Sequence, residues 1–353
     1  MATKKKAAKK SVRRGPPPKS SVAKAATKRV TISTRATPKH HSAHPTTAAA
    51  STPLLNQLLD IEENGPGQGD GTLQLGRGIS IPLTSLRKLF WKQERITKGQ
   101  LLRYYVQVTG YINPALRDRP LVQKRFPDGI DGFTFYQQKA PDNPPKGVRT
   151  AEIVSDDGEA QQRVIGGDLA TLLYLVQVGC VSMDPWHSRI KTLDTPDYFI
   201  LDLDPMPRAS FSRVIDVARH VRNELDRLGI TGKPKTSGST GIHIYVPLKR
   251  GVSYEDAVGL GRTVATNVAN KYPKLATVER MVKNRASNAV YVDFLQSSKT
   301  KAIASAYAAR AKRGATVSTP LKWSEVVPGL DPREWTVLTA PDRFRKVGDI
   351  WNK

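Results

Sequence analysis

Two carboxylates two residues apart close an apolar run, Tyr198-Phe199-Ile200-Leu201-Asp202-Leu203-Asp204-Pro205. Side chains alternate along a strand, so Asp202 and Asp204 share a face about 6.6 Å apart. Unpaired carboxylates this close repel unless one is protonated or a cation lies between them. A hard divalent cation with oxygen ligands is one solution; an ordinary acidic strand end feeding a turn is the plainer alternative. Asp293 lies in Val290-Tyr291-Val292-Asp293-Phe294-Leu295, where every other position is apolar or aromatic. A carboxylate there is costly unless paired or metal-bound. It would complete a three-carboxylate site of the kind that holds two metals about 3.5–4 Å apart for phosphoryl transfer. An edge-strand carboxylate facing water is the other reading.

Lys235-Thr236-Ser237-Gly238-Ser239-Thr240-Gly241-Ile242-His243 sets two glycines among hydroxyl residues. Backbone N–H groups of such a loop can line an anion site, and His243 emerges on the face opposite Ile242 and Ile244. By spacing alone, a tight turn with a core histidine fits equally. A basic, hydroxyl-rich stretch follows Asp293 through Lys299, Lys301 and Arg310.

The elements that must position these groups are legible in outline. Leu101, Leu102, Tyr105 and Val108 predict a helix over 97–108, and two short strands flank the Pro127-Asp128-Gly129 turn signal. Asp168 can cap a helix carrying Leu169, Leu172, Leu173 and Val176 inward. Strands are predicted over 198–204, 242–248 and 289–295. Helices are predicted from Ser210 to Gly229 and over 253–272. Strand, helix, strand, helix, strand argues for an α/β or α+β core around a central sheet.

The chain has 353 residues, 56 Lys and Arg against 31 Asp and Glu, and a formal charge of +25. That balance points to nucleic acid. One cysteine, Cys180, excludes a disulfide framework and a cysteine-based zinc module, and suits a reducing compartment. No apolar run is long enough for a membrane span. Residues 1–52 hold 13 Lys and Arg and no acidic residue. We expect a disordered basic tail over 1–60, with an organelle transit peptide as the rival reading. A Gly-rich linker is expected over 61–78 and the main domain over 79–353, divided into an N-terminal module (79–180) and a catalytic core (181–353).

The order D-L-D-P, then T-S-G-x-x-G-x-H-x-Y-x-P-L, then V-D-F-L-Q resembles the polymerase domain of bacterial end-joining DNA ligases (ligase D), within the archaeo-eukaryotic primase superfamily. The resemblance runs from about Leu83 to Val327. It implies a primase-polymerase fold: a central, mainly antiparallel sheet packed with a smaller β-rich N-terminal module and flanking helices. It implies a nucleotidyltransferase that adds ribo- or deoxyribonucleotides at gaps or broken DNA ends with two Mn²⁺ or Mg²⁺ ions. Asp202, Asp204 and Asp293 match its metal triad, and Ser237, His243 and Arg310 match contacts to the nucleotide's phosphates. Gln296 matches a position facing the nucleotide. Lys88 and Lys98 match the pair receiving a downstream 5′-phosphate, with Lys98 beside the helix start and the intervening segment expected to be a loop. Lys124, Arg125, Phe135 and Tyr136 match the template platform.

Asp184 replaces a histidine that lies beside the nucleotide sugar in that family, His187 stands three residues on, and Ser297 and Ser85 replace asparagines. Implied partners are gapped or broken DNA with a 5′-phosphate, NTP or dNTP, a separate ATP-dependent ligase and Ku, in a bacterial cytoplasm at the nucleoid. No Lys-x-Asp-Gly ligase signature is present, so a stand-alone polymerase module is expected. Alternatives are a non-catalytic DNA-binding module that keeps the fold, or a D-x-D phosphatase. Met206 counts against the phosphatase, which needs Thr or Val there.

Overall fold

The computed structural model describes residues 48–154 and 158–352. Helix α1 (Ala48–Asn64) leads into the hairpin β1 (Gly71–Gly76) and β2 (Ile79–Leu83), then a second, β3 (Leu89–Trp91) and β4 (Ile96–Thr97). These elements correct two expectations. The segment 48–60 is helical, and it buries Leu58 with Leu54, Leu55 and Ile61 packed beside it. The expected linker 61–78 contains β1, whose Leu73 is wholly buried. Its glycines serve close approach: a Cβ on Gly65 would lie 2.4 Å from the carbonyls of Ile61 and Asp70. The expected tail over residues 1–47 lies outside the described residues.

Helix α2 (Lys98–Leu116) starts at a reciprocal cap. Thr97 Oγ1 accepts from the Gln100 N–H at 3.0 Å, and Gln100 Oε1 accepts from the Thr97 N–H at 2.8 Å. The helix runs past the expected end because Ile112 and Leu116 continue its buried stripe. Next come β5 (Leu121–Arg125), β6 (Phe135–Gln137), the hairpin β7 (Thr150–Val154) and β8 (Ala160–Val164), α3 (Leu169–Gln177) and β9 (Asp184–Pro185). Asp168 caps α3, accepting from the Thr171 N–H at 2.8 Å. β5 pairs with both β6 and β9. This first module is built around α1, α2 and α3 as much as around its hairpins. Its core also takes Ala306–Ala309, Val317, Val337 and Phe344. The cores therefore do not divide at residue 180, because the chain's end returns to fill the first one.

The second core carries the central sheet. β10 (Tyr198–Pro205), α4 (Phe211–Arg227), β11 (Lys233–Thr236), β12 (Ile242–Pro247), α5 (Tyr254–Lys271), β13 (Ala276–Thr277) and β14 (Val290–Asp293) give the strand order β11-β12-β10-β14-β13. Only β13 and β14 are parallel. The mixed fold with a mainly antiparallel centre is the one expected. Phe199, Leu201, Leu203, Ile242, Ile244, Val246, Val290 and Val292 form the apolar face, buried with Val214, Val217 and Val221 of α4 and Val264 and Val268 of α5. Burying each such side chain contributes about 1.5–3 kcal/mol, and a one-residue slip would turn all of them outward. The register is thereby fixed, and the alternate residues are committed to the other face. A last helix, α6 (Ala340–Val347), adds Phe344 to the first core. No helix among the described residues is long and apolar enough to cross a membrane.

Candidate active site

That other face of the sheet is polar. Strand register sets Lys235 opposite His243, His243 opposite Asp202, and Asp202 opposite Asp293. Directly opposed side chains have Cβ atoms about 4.5–5.5 Å apart, so one row crosses four strands. Asp204 stands one pleat further along β10, opposite Tyr291. The structure thus gathers all three carboxylates that the sequence singles out.

Asp202 is 6% exposed, and its Oδ1 has no hydrogen-bond partner. His243 Nε2 lies 3.3 Å from that oxygen, without hydrogen-bond alignment. Burial pushes the Asp202 carboxyl well above the usual range, and repulsion from Asp204 and then Asp293 adds to it. Burial and Asp293 raise Asp204 likewise. Asp293 is turned toward its own chain, where Oδ1 accepts from the Leu295 N–H at 2.8 Å. Among the described residues, no three Asp, Glu, His or Cys side chains converge as they stand to hold a metal ion. Donor type, shared face and the orphaned Asp202 oxygen nevertheless fit a hard cation; the remaining adjustment is side-chain rotation.

The 237–241 loop differs from its sequence expectation. Two of its backbone N–H groups, those of Ser239 and Gly241, donate inward to Ser237 Oγ at 3.0 Å each. The loop is a closed turn around that hydroxyl, so those two donors do not line an anion site. Both glycines are sterically required. A Cβ on Gly241 would meet the Leu203 carbonyl at 2.3 Å, and Gly238 has φ +64° against Arg310 and Ser318. Arg310 crosses the loop, its Nη1 donating to the Ser237 carbonyl. A cavity of about 430 Å³ opens beside the carboxylate end of β10, lined in part by Pro205, Phe211, Ser239 and Thr240.

Sequence reasoning gave no role to Lys235, although it quoted the residue. The side chain is wholly buried, with Nζ 2.8 Å from His243 Nδ1 and 2.6 Å from Ser318 Oγ. Burial and then Arg310 push the Lys235 pKa well down, while Asp202 and Asp184 oppose that. Burial, then Lys235 and Arg310, push His243 well down. Nothing in Lys233-Pro234-Lys235-Thr236 marks a buried strand in the sequence, so no signal was available.

Around the Asp184 segment, Ser182 Oγ donates to Asp184 Oδ1. His187 does not substitute for a side chain at that position. It is fully buried, and its Nε2 lies 2.6 Å from the Gln296 carbonyl, so it fixes the backbone of that segment. Burial lowers its pKa to about 4. Ser297 is a strut: its Oγ accepts from the Ile200 N–H at 2.8 Å and donates to the Ile200 carbonyl at 3.0 Å.

Away from the sheet, Lys88 and Lys98 flank the β3–β4 hairpin that replaces the expected loop. Lys98 is 5% exposed and donates to the Thr84 carbonyl at 2.8 Å. Its pKa falls to about 8, first through burial and then through the neighbouring Lys88. Lys88 is already engaged, by the Asp128 carboxylate and the Pro127 carbonyl at 2.7 Å each. On β5 and β6, Lys124 lies 5.3 Å from the Tyr136 ring and the Arg125 guanidinium 5.2 Å from the Phe135 ring. Arg125 is held by the Val178 carbonyl and Gln137. Tyr136 is 67% exposed; Phe133, which sequence reasoning missed, is 69% exposed and stacks on Phe135 at 5.6 Å. An aromatic two residues before Phe135 was the signal.

The fold and site define a structural class, a mainly antiparallel, helix-backed sheet with three carboxylates on its open face, and comparison with known proteins narrows it. Residues 97–351 match the family described as LigD, primase-polymerase domain, and the chain belongs to that family. It is 32% identical over 271 residues to the bifunctional non-homologous end joining protein LigD of Bacillus subtilis, covering 76% of this chain and 43% of that protein. The multifunctional LigD of Pseudomonas aeruginosa is 28% identical over 295 residues, covering 81% of this chain and 35% of its own length. The chain thus spans less than half the length of these curated relatives. The solved polymerase domain of Mycobacterium tuberculosis ligase D, in complex with DNA, superposes with a TM-score of 0.71 at 25% identity, covering 76% of this chain and 96% of that one.

Proposed function

We propose that this chain is a template-dependent nucleotidyltransferase of DNA repair. It adds ribo- or deoxyribonucleotides to a primer 3′-hydroxyl at short gaps or broken ends, and it recognises a downstream 5′-phosphate. The observation that carries this reading is the placement of Asp202, Asp204 and Asp293 on one face of one sheet, with Asp202 and Asp293 directly opposed.

The three carboxylates would hold two divalent cations, Mn²⁺ or Mg²⁺, which when bound neutralise the phosphates and ease deprotonation of the 3′-hydroxyl. Beside them, Arg310 and His243 would contact the triphosphate, with Ser237 shaping the loop that Arg310 crosses. Gln296 and Asp184 belong to the nucleotide side of the cleft, and Lys124, Arg125, Phe135 and Tyr136 offer stacking surface to template bases. Lys88 and Lys98 form the 5′-phosphate pocket. Occupancy requires the phosphate to displace Asp128 from Lys88, a contest that a dianion wins more readily than a phosphodiester. NTP or dNTP, gapped DNA, a DNA ligase activity and Ku are the partners this role entails.

Primer extension on a gapped duplex, with and without a downstream 5′-phosphate and with Mn²⁺, tests the assignment. Asp204→Ala should abolish extension while DNA binding persists, and Lys88→Ala with Lys98→Ala should erase the phosphate advantage only. Substantial extension by the Asp204→Ala protein refutes the catalytic reading.

A further inference from the structure

A second cavity, of about 420 Å³, lies between the β7–β8 hairpin and the segment that follows β9. Its volume is in the usual range for ligand clefts. Arg163 of β8 and Trp186, just after β9, both line it. Each carries a buried nitrogen without a hydrogen-bond partner: Nη1 of Arg163 and the indole Nε1 of Trp186, a residue only 5% exposed. The guanidinium lies over the indole, its carbon 4.8 Å from the ring centroid, so the two donors are close enough to serve one ligand. That contact offsets part of the cost of burying the cation, yet it leaves Nη1 unbonded. Two carboxylates line the same cavity without pairing with Arg163. Asp194 is bonded to Lys299 at 2.8 Å, and Glu159 is exposed. Burial draws the Arg163 pKa down with no opposing charge, and a guanidinium keeps its proton even so.

We propose that this cavity is a phosphate-binding subsite in which Arg163 and Trp186 donate to the oxygens of one phosphate group. A buried cation without an anionic partner is costly, and arginine's planar fork is shaped for charge-assisted bonds to phosphate. The indole supplies one donor and no acceptor, so both groups call for acceptor atoms alone. The frame that holds them is rigid. Arg163 stands opposite Ala151 in the hairpin ladder. The Trp186 backbone N–H donates to the Pro120 carbonyl at 2.9 Å, and its ring is buried with Ile153 and Ile165. No residue lining the cavity belongs to β10, β12 or β14, so the subsite is separate from the carboxylates. Gln138, which also lines it, directly follows β6, whose Tyr136 is exposed. A nucleic-acid strand crossing that aromatic platform is the source this position favours, and a charge of +25 draws polyanions to the chain. The choice of source rests on the polymerase reading, whereas the phosphate subsite does not.

The test is ¹H–¹⁵N correlation of the indole groups in the full chain labelled at its five tryptophans, with Trp186 assigned by the signal lost in Trp186→Phe. The probes are thymidine, thymidine 5′-monophosphate, inorganic phosphate and single-stranded oligothymidylate, all without metal. The Trp186 signal should move with a phosphate-bearing probe and stay in place with thymidine. Movement with oligothymidylate alone assigns the phosphate to a strand; movement with the monophosphate or inorganic phosphate assigns it to a free anion. Arg163→Gln should weaken the affinity read at this signal about 10- to 150-fold, the effect of losing one hydrogen bond to a charged group. Arg163→Lys, which keeps the charge, should recover part of it. The remaining indole signals report whether each variant is folded. A Trp186 signal unmoved by every probe, oligothymidylate at saturation included, overturns the proposal even if Arg163→Gln fails to fold. Equal movement with thymidine, or unchanged affinity in folded Arg163→Gln, overturns it too. A protein that binds phosphate at Trp186 and adds no nucleotide refutes the polymerase reading and leaves this subsite standing.

Discussion

Replacing Asp202 by asparagine should make the metal-free protein more stable while abolishing nucleotide addition. The carboxylate is 6% exposed, with one oxygen unpartnered. Burial and repulsion from Asp204 and Asp293 raise its pKa, and these outweigh the attraction of Lys235 and Arg310. The amide keeps the shape and removes the charge, so it relieves the larger effects and gives up the smaller. Substitutions that relieve such a functional strain contribute on the order of 0.5–2 kcal/mol, roughly 1–4 °C in Tm for a domain of this size. The pH dependence has a definite sign. A carboxyl whose pKa is raised by folding binds its proton earlier than the unfolded chain does as pH falls. Stability from Asp202 is therefore full below about 4 and is lost as pH rises through the folded value. Asparagine removes that contribution to the slope. Calorimetry in EDTA at pH 5.5 and 8, followed by Mn²⁺ titration, reads each part. A cation bound only to the folded wild type adds about 2.7 kcal/mol at a hundred times its Kd, and the variant should lose most of that gain. A lower Tm for Asp202→Asn in EDTA at pH 8, or equal stabilisation of both proteins by Mn²⁺, would refute the reasoning.

Three further outcomes are expected. Preference for a phosphorylated gap should decline as pH rises from 7 to 9, because Lys98 loses its charge near pH 8. Lys98→Arg should keep that preference level over the same range in a binding assay. Tyr136→Ala should weaken single-stranded template binding about 5- to 150-fold, since base–aromatic stacking contributes about 1–3 kcal/mol, with little change for blunt duplex by fluorescence anisotropy. Asp184→His should change the ratio of kcat/KM for ribo- over deoxyribonucleotides; identical ratios in both proteins would show that this position does not read the sugar.

Local order in the sequence was enough for β10, β12 and β14, for α2 to α5, and for the face their residues take. Alternation along 198–205 already put Asp202 and Asp204 together, and Thr97, Asp168 and Gly229 marked helix boundaries that the structure keeps within a residue or two. Those features depend on neighbours a few residues apart, so one-dimensional pattern reports them. Glycine misled where flexibility and close packing leave the same mark: 61–78 reads as a linker, yet Gly65 and Gly71 are small because Ile61 and Asp70 crowd them. Only tertiary structure decided the rest. Asp293 stands opposite Asp202 through a strand pairing across 91 residues of chain. Ser237 claims two loop N–H groups, Asp128 holds Lys88, and His187 turns to the Gln296 carbonyl. Each of these is a competition among donors and acceptors brought close by folding. Residue type says what a side chain can bond, while the three-dimensional neighbourhood decides which partner it takes, as Lys235 shows by meeting Ser318 from 83 residues away.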